Sequence, residues 1–200
     1  DPELIEIRRG ESGIRAWAAE PGEYYHSFDG SYGGLWRRNG RPPQLLAGVG
    51  FSAQGKFEGS YYRRTAESHA PDLAWMFEGI EDQEILGDFG FSGGGAAGFE
   101  LDRADVRLGT PEEVRVVASS ENHTSSFVLV PEEMLTHITN WPGEEEQQKL
   151  IRSDIVYFRT PSGGEVFSTG SITFCGSLPW NDFDNNISRL LENVIRRFLQ

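Results

Sequence analysis

The sequence predicts a single α/β domain, residues 1–200, with a mixed sheet. Three observations carry that expectation. Its 200 residues are enough to bury a full core without disulfides or a structural metal. Short apolar runs of strand length recur, most clearly after residue 114. Near the carboxyl end, Ile187, Leu190, Leu191, Val194, Ile195 and Phe198 recur at i, i+3, i+4, i+7, i+8 and i+11, one apolar stripe of a helix.

Taken in order, residues 3–8 and 14–19 read as two strands, and Gly10-Glu-Ser-Gly13 between them suits a hairpin. Residues 21–64 hold Gly, Tyr, Arg and Pro42-Pro43 with no lasting period, and read as long structured loops. Residues 72–80 suit a short helix or a strand, and residues 87–98 are half glycine. Val114–Ala118 and Ser126–Val130 read as buried strands. Pro-Glu-Glu at 131–133 suits a helix start, so residues 131–137 are expected to be helical. Pro142–Lys149 reads as an acidic connector. Asp154–Phe158 is a strand, Pro161–Gly164 a turn, and Glu165–Ser168 and Ser171–Cys175 two closing strands. Asp184, Asn185 or Asn186 can cap the last helix, and Arg196 and Arg197 suit its carboxyl end.

Composition excludes several partners. The net charge of −13 repels phosphate backbones and anionic lipid headgroups, so neither nucleic acid nor a membrane surface is expected. No run approaches the ~20 apolar residues of a membrane span. The amino end shows no basic-then-apolar leader, and a cytoplasmic location is expected. It also lacks an initiator Met, which suggests a piece of a longer chain. The single Cys175 excludes an internal disulfide and a multi-cysteine metal cluster.

Gly93-Gly-Gly-Ala-Ala-Gly98 has the spacing of a dinucleotide loop but lies mid-chain with little helical pattern after it, so a structural glycine loop is the better reading. Cys175, inside Ile-Thr-Phe-Cys, reads as a buried core residue rather than a nucleophile. His69 and His137 read as surface or helix-end residues. No histidines pair at metal-ligand spacing. His26 follows Tyr24-Tyr25. Glu121 and His123 follow directly on a buried strand, where ligand sites gather in open α/β sheets. A turn capped by Ser and Asn side chains is the plain alternative there. Tyr24, Tyr25, Tyr32, Tyr61 and Tyr62 read as loop residues that bury a ring and wet a hydroxyl.

Several strings together resemble the carboxyl-terminal domain of the N,N-dimethylformamidase large-subunit family. They are Glu20–Phe28, Tyr32–Arg38, Arg41–Gln44, Gly87-Asp-Phe-Gly90, Gly93–Gly98, Ala118-Ser-Ser-Glu121, Gly163–Ser171 and Asp184–Asn193. The resemblance implies a class I glutamine amidotransferase-like sandwich, here lacking its first strands, without that class's cysteine nucleophile. It implies hydrolysis of a small formamide-type amide and a mononuclear iron held by two Tyr and one Glu. The candidates here are Glu121 as the carboxylate ligand and Tyr32 or Tyr25 as a phenolate ligand, with His123 or His26 as a polar helper near the water. Ferric iron is hard and suits phenolate and carboxylate oxygen. The expected partners are a small-molecule amide, an upstream segment of a longer chain or a small partner subunit, and further copies in a homo-oligomer. The rival expectation is a non-catalytic binding or assembly domain on the same fold.

Overall fold

A computed structural model describes residues 40–130 and 143–200. The hairpin expected at 3–19, the helix expected at 131–137, and Tyr25, His26 and Tyr32 lie outside the described residues. A short helix α1 (Pro43–Ala47) ends at Gly48 in the left-handed region and leads into β1 (Gly50–Arg64). The sheet continues with β2 (Ala97–Arg103), β3 (Arg115–Glu121), β4 (Val128–Leu129), β5 (Asp154–Arg159) and β6 (Glu165–Ser168). Three helices complete the set: α2 (Glu144–Leu150), α3 (Phe174–Ser177) and α4 (Asn186–Phe198).

The strand order is β2-β1-β3-β5-β6, with β4 also on β1. Among the described residues every ladder is antiparallel, so the expected mixed sheet is corrected. Parallel neighbours need crossovers of a dozen or more residues. The link from β5 to β6 is instead a tight turn, closed by Gly163 N–H on the Thr160 carbonyl at 2.9 Å.

β1 is the main departure from the sequence reading, which placed loops up to residue 64. It is a 15-residue strand that pairs with three others. Its register on β2 shifts between Phe51 and Ala53 and again between Gln54 and Gly59, which breaks the two-residue period. At the second shift, Gly59 opposes Gly98 and touches Gly95. A Cβ on any of the three would overlap backbone atoms. The glycine string is therefore a seam between two chain segments. It feeds a strand, not the helix that a dinucleotide loop requires.

Other expectations need smaller changes. The stretch expected at 72–80 contains a 3₁₀ turn, Pro71–Phe77. Only Val128 and Leu129 of the Ser126–Val130 run are paired as strand. The acidic connector contains α2, whose first turn holds Glu144, Glu145 and Glu146, where the helix dipole favours anions. Lys149 pairs with Glu145 and Glu146 at 3.1 and 3.0 Å. The expected strand Ser171–Cys175 is one isolated bridge, Leu101 to Ser171, followed by α3. Phe174 fills the core while Cys175 is exposed, so Cys175 is not a core residue.

α4 stands as expected. The Asn185 side chain accepts the Ser188 N–H at 2.9 Å, and Ile187, Leu190 and Val194 are buried. Each such burial contributes roughly 1.5–3 kcal/mol. The main core sets these residues and Leu73, Met76 and Phe77 against Tyr62, Val117, Ile155 and Tyr157 of the sheet. A second cluster joins Ala53, Leu101, Phe127, Leu129 and Ile151. Among the described residues no helix is long and apolar enough to cross a membrane.

Candidate functional site

β3 ends against β1, with Ser120 opposite Tyr62 and Glu121 opposite Tyr61. The Ser60 hydroxyl donates to the Glu121 carbonyl at 2.5 Å and anchors that end. Asn122 then takes a left-handed conformation at φ 63, which Asn tolerates better than most residues. The chain turns back and sets His123 Nε2 2.6 Å from Ser120 Oγ.

Behind this pair runs a line of internal hydrogen bonds. The Ser153 N–H donates to Ser120 Oγ at 2.7 Å, and the Ser120 N–H donates to the Ser153 carbonyl at 2.8 Å. Ser153 Oγ lies 2.9 Å from the Tyr62 hydroxyl, which donates to the Thr169 carbonyl at 2.7 Å. Tyr62 thus buries its ring and keeps its hydroxyl inside the protein, contrary to the wetted loop tyrosine expected. Burial pushes its phenol well above the usual range, so it stays protonated.

His123 packs beside Phe127, ring centroids 4.7 Å apart. Burial lowers its pKa to about 4, with the Glu58 carboxylate pulling weakly the other way. The imidazole is neutral at pH 7, and its Nδ1 is buried with no hydrogen-bond partner among the described residues. Glu58 is itself held by the Ser126 and Thr124 hydroxyls, which lower its pKa. An open groove of about 300 Å³ runs between Gln54–Lys56 and Ser126–Val130, and neither His123 nor Glu121 lines it.

Glu121 points the other way. Its carboxylate pairs with Arg63, and the two side chains are 46% and 45% exposed. The Arg63 guanidinium also sits over the Tyr61 ring at 5.6 Å. The structure therefore brings Glu121 and His123 to one strand end but into different surroundings. Among the described residues no three His, Cys, Asp or Glu side chains cluster to hold a metal. Glu121 is the one expected ligand that is described, and it is already paired. The described residues do not by themselves complete an iron centre.

Asp102 escaped the sequence reading. Burial and then the neighbouring Glu100 raise its carboxyl to about 6. The signal was present in Glu100-Leu-Asp102, two like charges on one face of β2.

Fold and site together describe an α/β domain with a curled antiparallel sheet, a part-buried Ser–His contact and an exposed carboxylate at one strand end. The chain belongs to the family described as N,N-dimethylformamidase beta subunit-like, C-terminal, which it matches over residues 1–186. It is 40% identical over 199 residues to the N,N-dimethylformamidase beta subunit of Alcaligenes sp, and 40% identical over 199 residues to that of Paracoccus aminophilus. The matches cover 100% of this chain and 26% of each relative, so the chain spans about a quarter of their length.

Proposed function

We propose that this chain is the carboxyl-terminal domain of an amide hydrolase of the dimethylformamidase type, cleaving the C–N bond of a small formamide-type amide. The observation that carries the reading is the strand end of β3, where a neutral His123 lies two residues from the Glu121 carboxylate. End-to-end identity with two dimethylformamidase beta subunits supports it. In this proposal Glu121, oriented by Arg63, accepts a proton from the attacking water, while His123, in different surroundings, holds the strand end through Ser120 without touching the amide. Positioned groups of this kind typically contribute 10²–10⁴-fold.

The iron expected from the resemblance, with Tyr25, Tyr32 and Glu121 as ligands and His26 nearby, is a separate arm of the proposal. When bound it would polarise the amide carbonyl and acidify a water. Metal content and a visible absorption spectrum test it. About one iron per chain with a phenolate charge-transfer band supports this arm, and a metal-free active enzyme sinks it. The amidotransferase-like sandwich, the homo-oligomer and the small partner subunit are likewise proposals. An experimental structure of the complete subunit tests all three.

Turnover of dimethylformamide by the full-length subunit tests the hydrolase reading. Glu121→Gln and His123→Ala should each lower kcat by about 100-fold or more with the fold retained by circular dichroism. Activity within about twofold of wild type in both would remove this strand end from the chemistry. A second reading, an assembly domain, draws on the exposed Phe91–Trp180 pair, ring centroids 5.3 Å apart, and on the exposed Phe183. Under it, Phe183→Ser weakens assembly and both site variants keep turnover.

A further inference from the structure

Phe91 and Phe183 hold their rings in solvent, 70% and 64% exposed. Trp180, also exposed, packs against Phe91 and stacks on Phe89 with ring centroids 5.9 Å apart. The two segments that carry these rings are laced together. The Phe91 N–H donates to the Gly176 carbonyl at 2.9 Å, and the Ser177 hydroxyl donates to the Phe89 carbonyl at 2.6 Å. The Asn185 side-chain amide donates to the Trp180 carbonyl at 2.7 Å. Beyond Trp180 the backbone is strained: Asn181, Asp182 and Phe183 are all left-handed, at φ 50, 53 and 68, and none is glycine. Asn181 closes this turn on Asp184, its carbonyl accepting the Asp184 N–H at 3.0 Å and its amide donating to the Asp184 carbonyl at 2.9 Å. Strain of this kind persists only where the surroundings enforce it, and it gathers at functional places. Here it ends on an exposed phenyl ring.

The charges beside these rings have one sign. Asp88 precedes Phe89, Asp182 and Asp184 flank Phe183, and all three are exposed. Among the described residues none of these carboxylates is in an ion pair. Arg189, the next cation along α4, is paired with Glu192 at 3.3 Å. We propose that this face docks a partner protein through a segment in which arginine alternates with apolar side chains. The guanidinium sits over the Trp180 ring and meets the Asp182 and Asp184 carboxylates, while the apolar side chains cover Phe91 and Phe183. Indole is the best ring for a cation, and arginine is the commoner cation on it. Contiguous exposed apolar surface with a polar rim marks such docking sites, whereas single exposed rings do not. Carboxylates at the rim select a basic partner and speed its encounter. A second copy of this chain is a poor occupant, because it brings a net charge of −13 and the same three carboxylates. The proposal rests on the assembly reading given above, names the partner's chemistry, and is independent of hydrolysis at the β3 end.

The probe is a synthetic peptide of alternating arginine and leucine, titrated into the complete chain. Arginine–serine and glutamate–leucine peptides of the same length are the controls. The readout is the Trp180 indole N–H signal of ¹⁵N-labelled protein, assigned with Trp180→Phe. The arginine–leucine peptide should move that signal and bind about tenfold tighter than either control. Phe183→Ser and, separately, Asp182→Asn with Asp184→Asn should each weaken binding about tenfold, with circular dichroism unchanged. Equal binding of the arginine–serine peptide reduces the effect to net charge and overturns the proposal. So does binding that both variants leave within about twofold of wild type. Sedimentation of the protein alone covers the other occupant. Dimers that form with rising concentration and that Phe183→Ser abolishes assign the face to a second copy, and they overturn the proposed partner. Failure of the peptide is distinct from failure of the assembly reading, which the assembly state of the full-length Phe183→Ser subunit decides.

Discussion

His123 and Asp102 pull stability in opposite directions over nearly the same pH window. The His123 pKa falls from 6.5 to about 4 on folding, so the unfolded chain takes the proton first. Its contribution is complete above pH 6.5 and is lost as pH falls toward about 4. The Asp102 pKa rises from 3.8 to about 6, so the folded chain keeps its proton longer. Its contribution is complete below pH 3.8 and is lost as pH rises through about 6. The two slopes largely cancel. Asp102→Asn should therefore raise stability at pH 7 by about 1–2 kcal/mol and expose a loss on acidification from pH 6.5 toward 4. Urea unfolding midpoints at several pH values check this, and a variant less stable at pH 7 would contradict it. Gln44 makes a second point at this scale. It is fully buried, and neither amide atom has a hydrogen-bond partner among the described residues. Gln44→Met keeps the volume and removes both orphans, so a gain of about 1 kcal/mol is expected in thermal unfolding.

The glycine seam and the last helix set the element-scale predictions. Gly98→Ala drives a Cβ into the Glu58 and Gly59 backbone and should cost about 3 kcal/mol or more, parting β1 from β2 locally. Asn185→Ala removes the cap of α4 and should cost about 1 kcal/mol, with the same helix formed. Equilibrium denaturation with circular dichroism reads both. These elements also show what the sequence made legible. α4 was readable because its stripe is long and its cap is polar. β3, β5 and β6 were readable as apolar or alternating runs ended by turns. β1 was hidden because two register shifts and three glycines erase its period. α2 was hidden because it has no buried residue, so no apolar stripe marks it. At the site, Glu121 and His123 were visible from their place after a strand. The Ser120–His123 contact was not, because it depends on a left-handed Asn122 that no pattern announces. Asp102 was missed because its shift comes first from burial, and the Glu100–Asp102 spacing marks only the smaller, coulombic part.

At the scale of the molecule, β1 is the piece everything else leans on. Its first part pairs with β2 and β4, and its last residues, Tyr61–Arg64, pair with β3. Its side chains enter both main apolar clusters, Tyr62 in one and Ala53 in the other. A segment shared in this way cannot detach from one neighbour without loosening the rest. The expected consequence is that, among the described residues, neither side of β1 opens independently of the other. The paired amides of β1 should then exchange with deuterium through one cooperative event, at the free energy of global unfolding. Native-state exchange at graded denaturant would show their isotherms merging into one curve, whereas two separate curves would divide the molecule into two units that breathe independently.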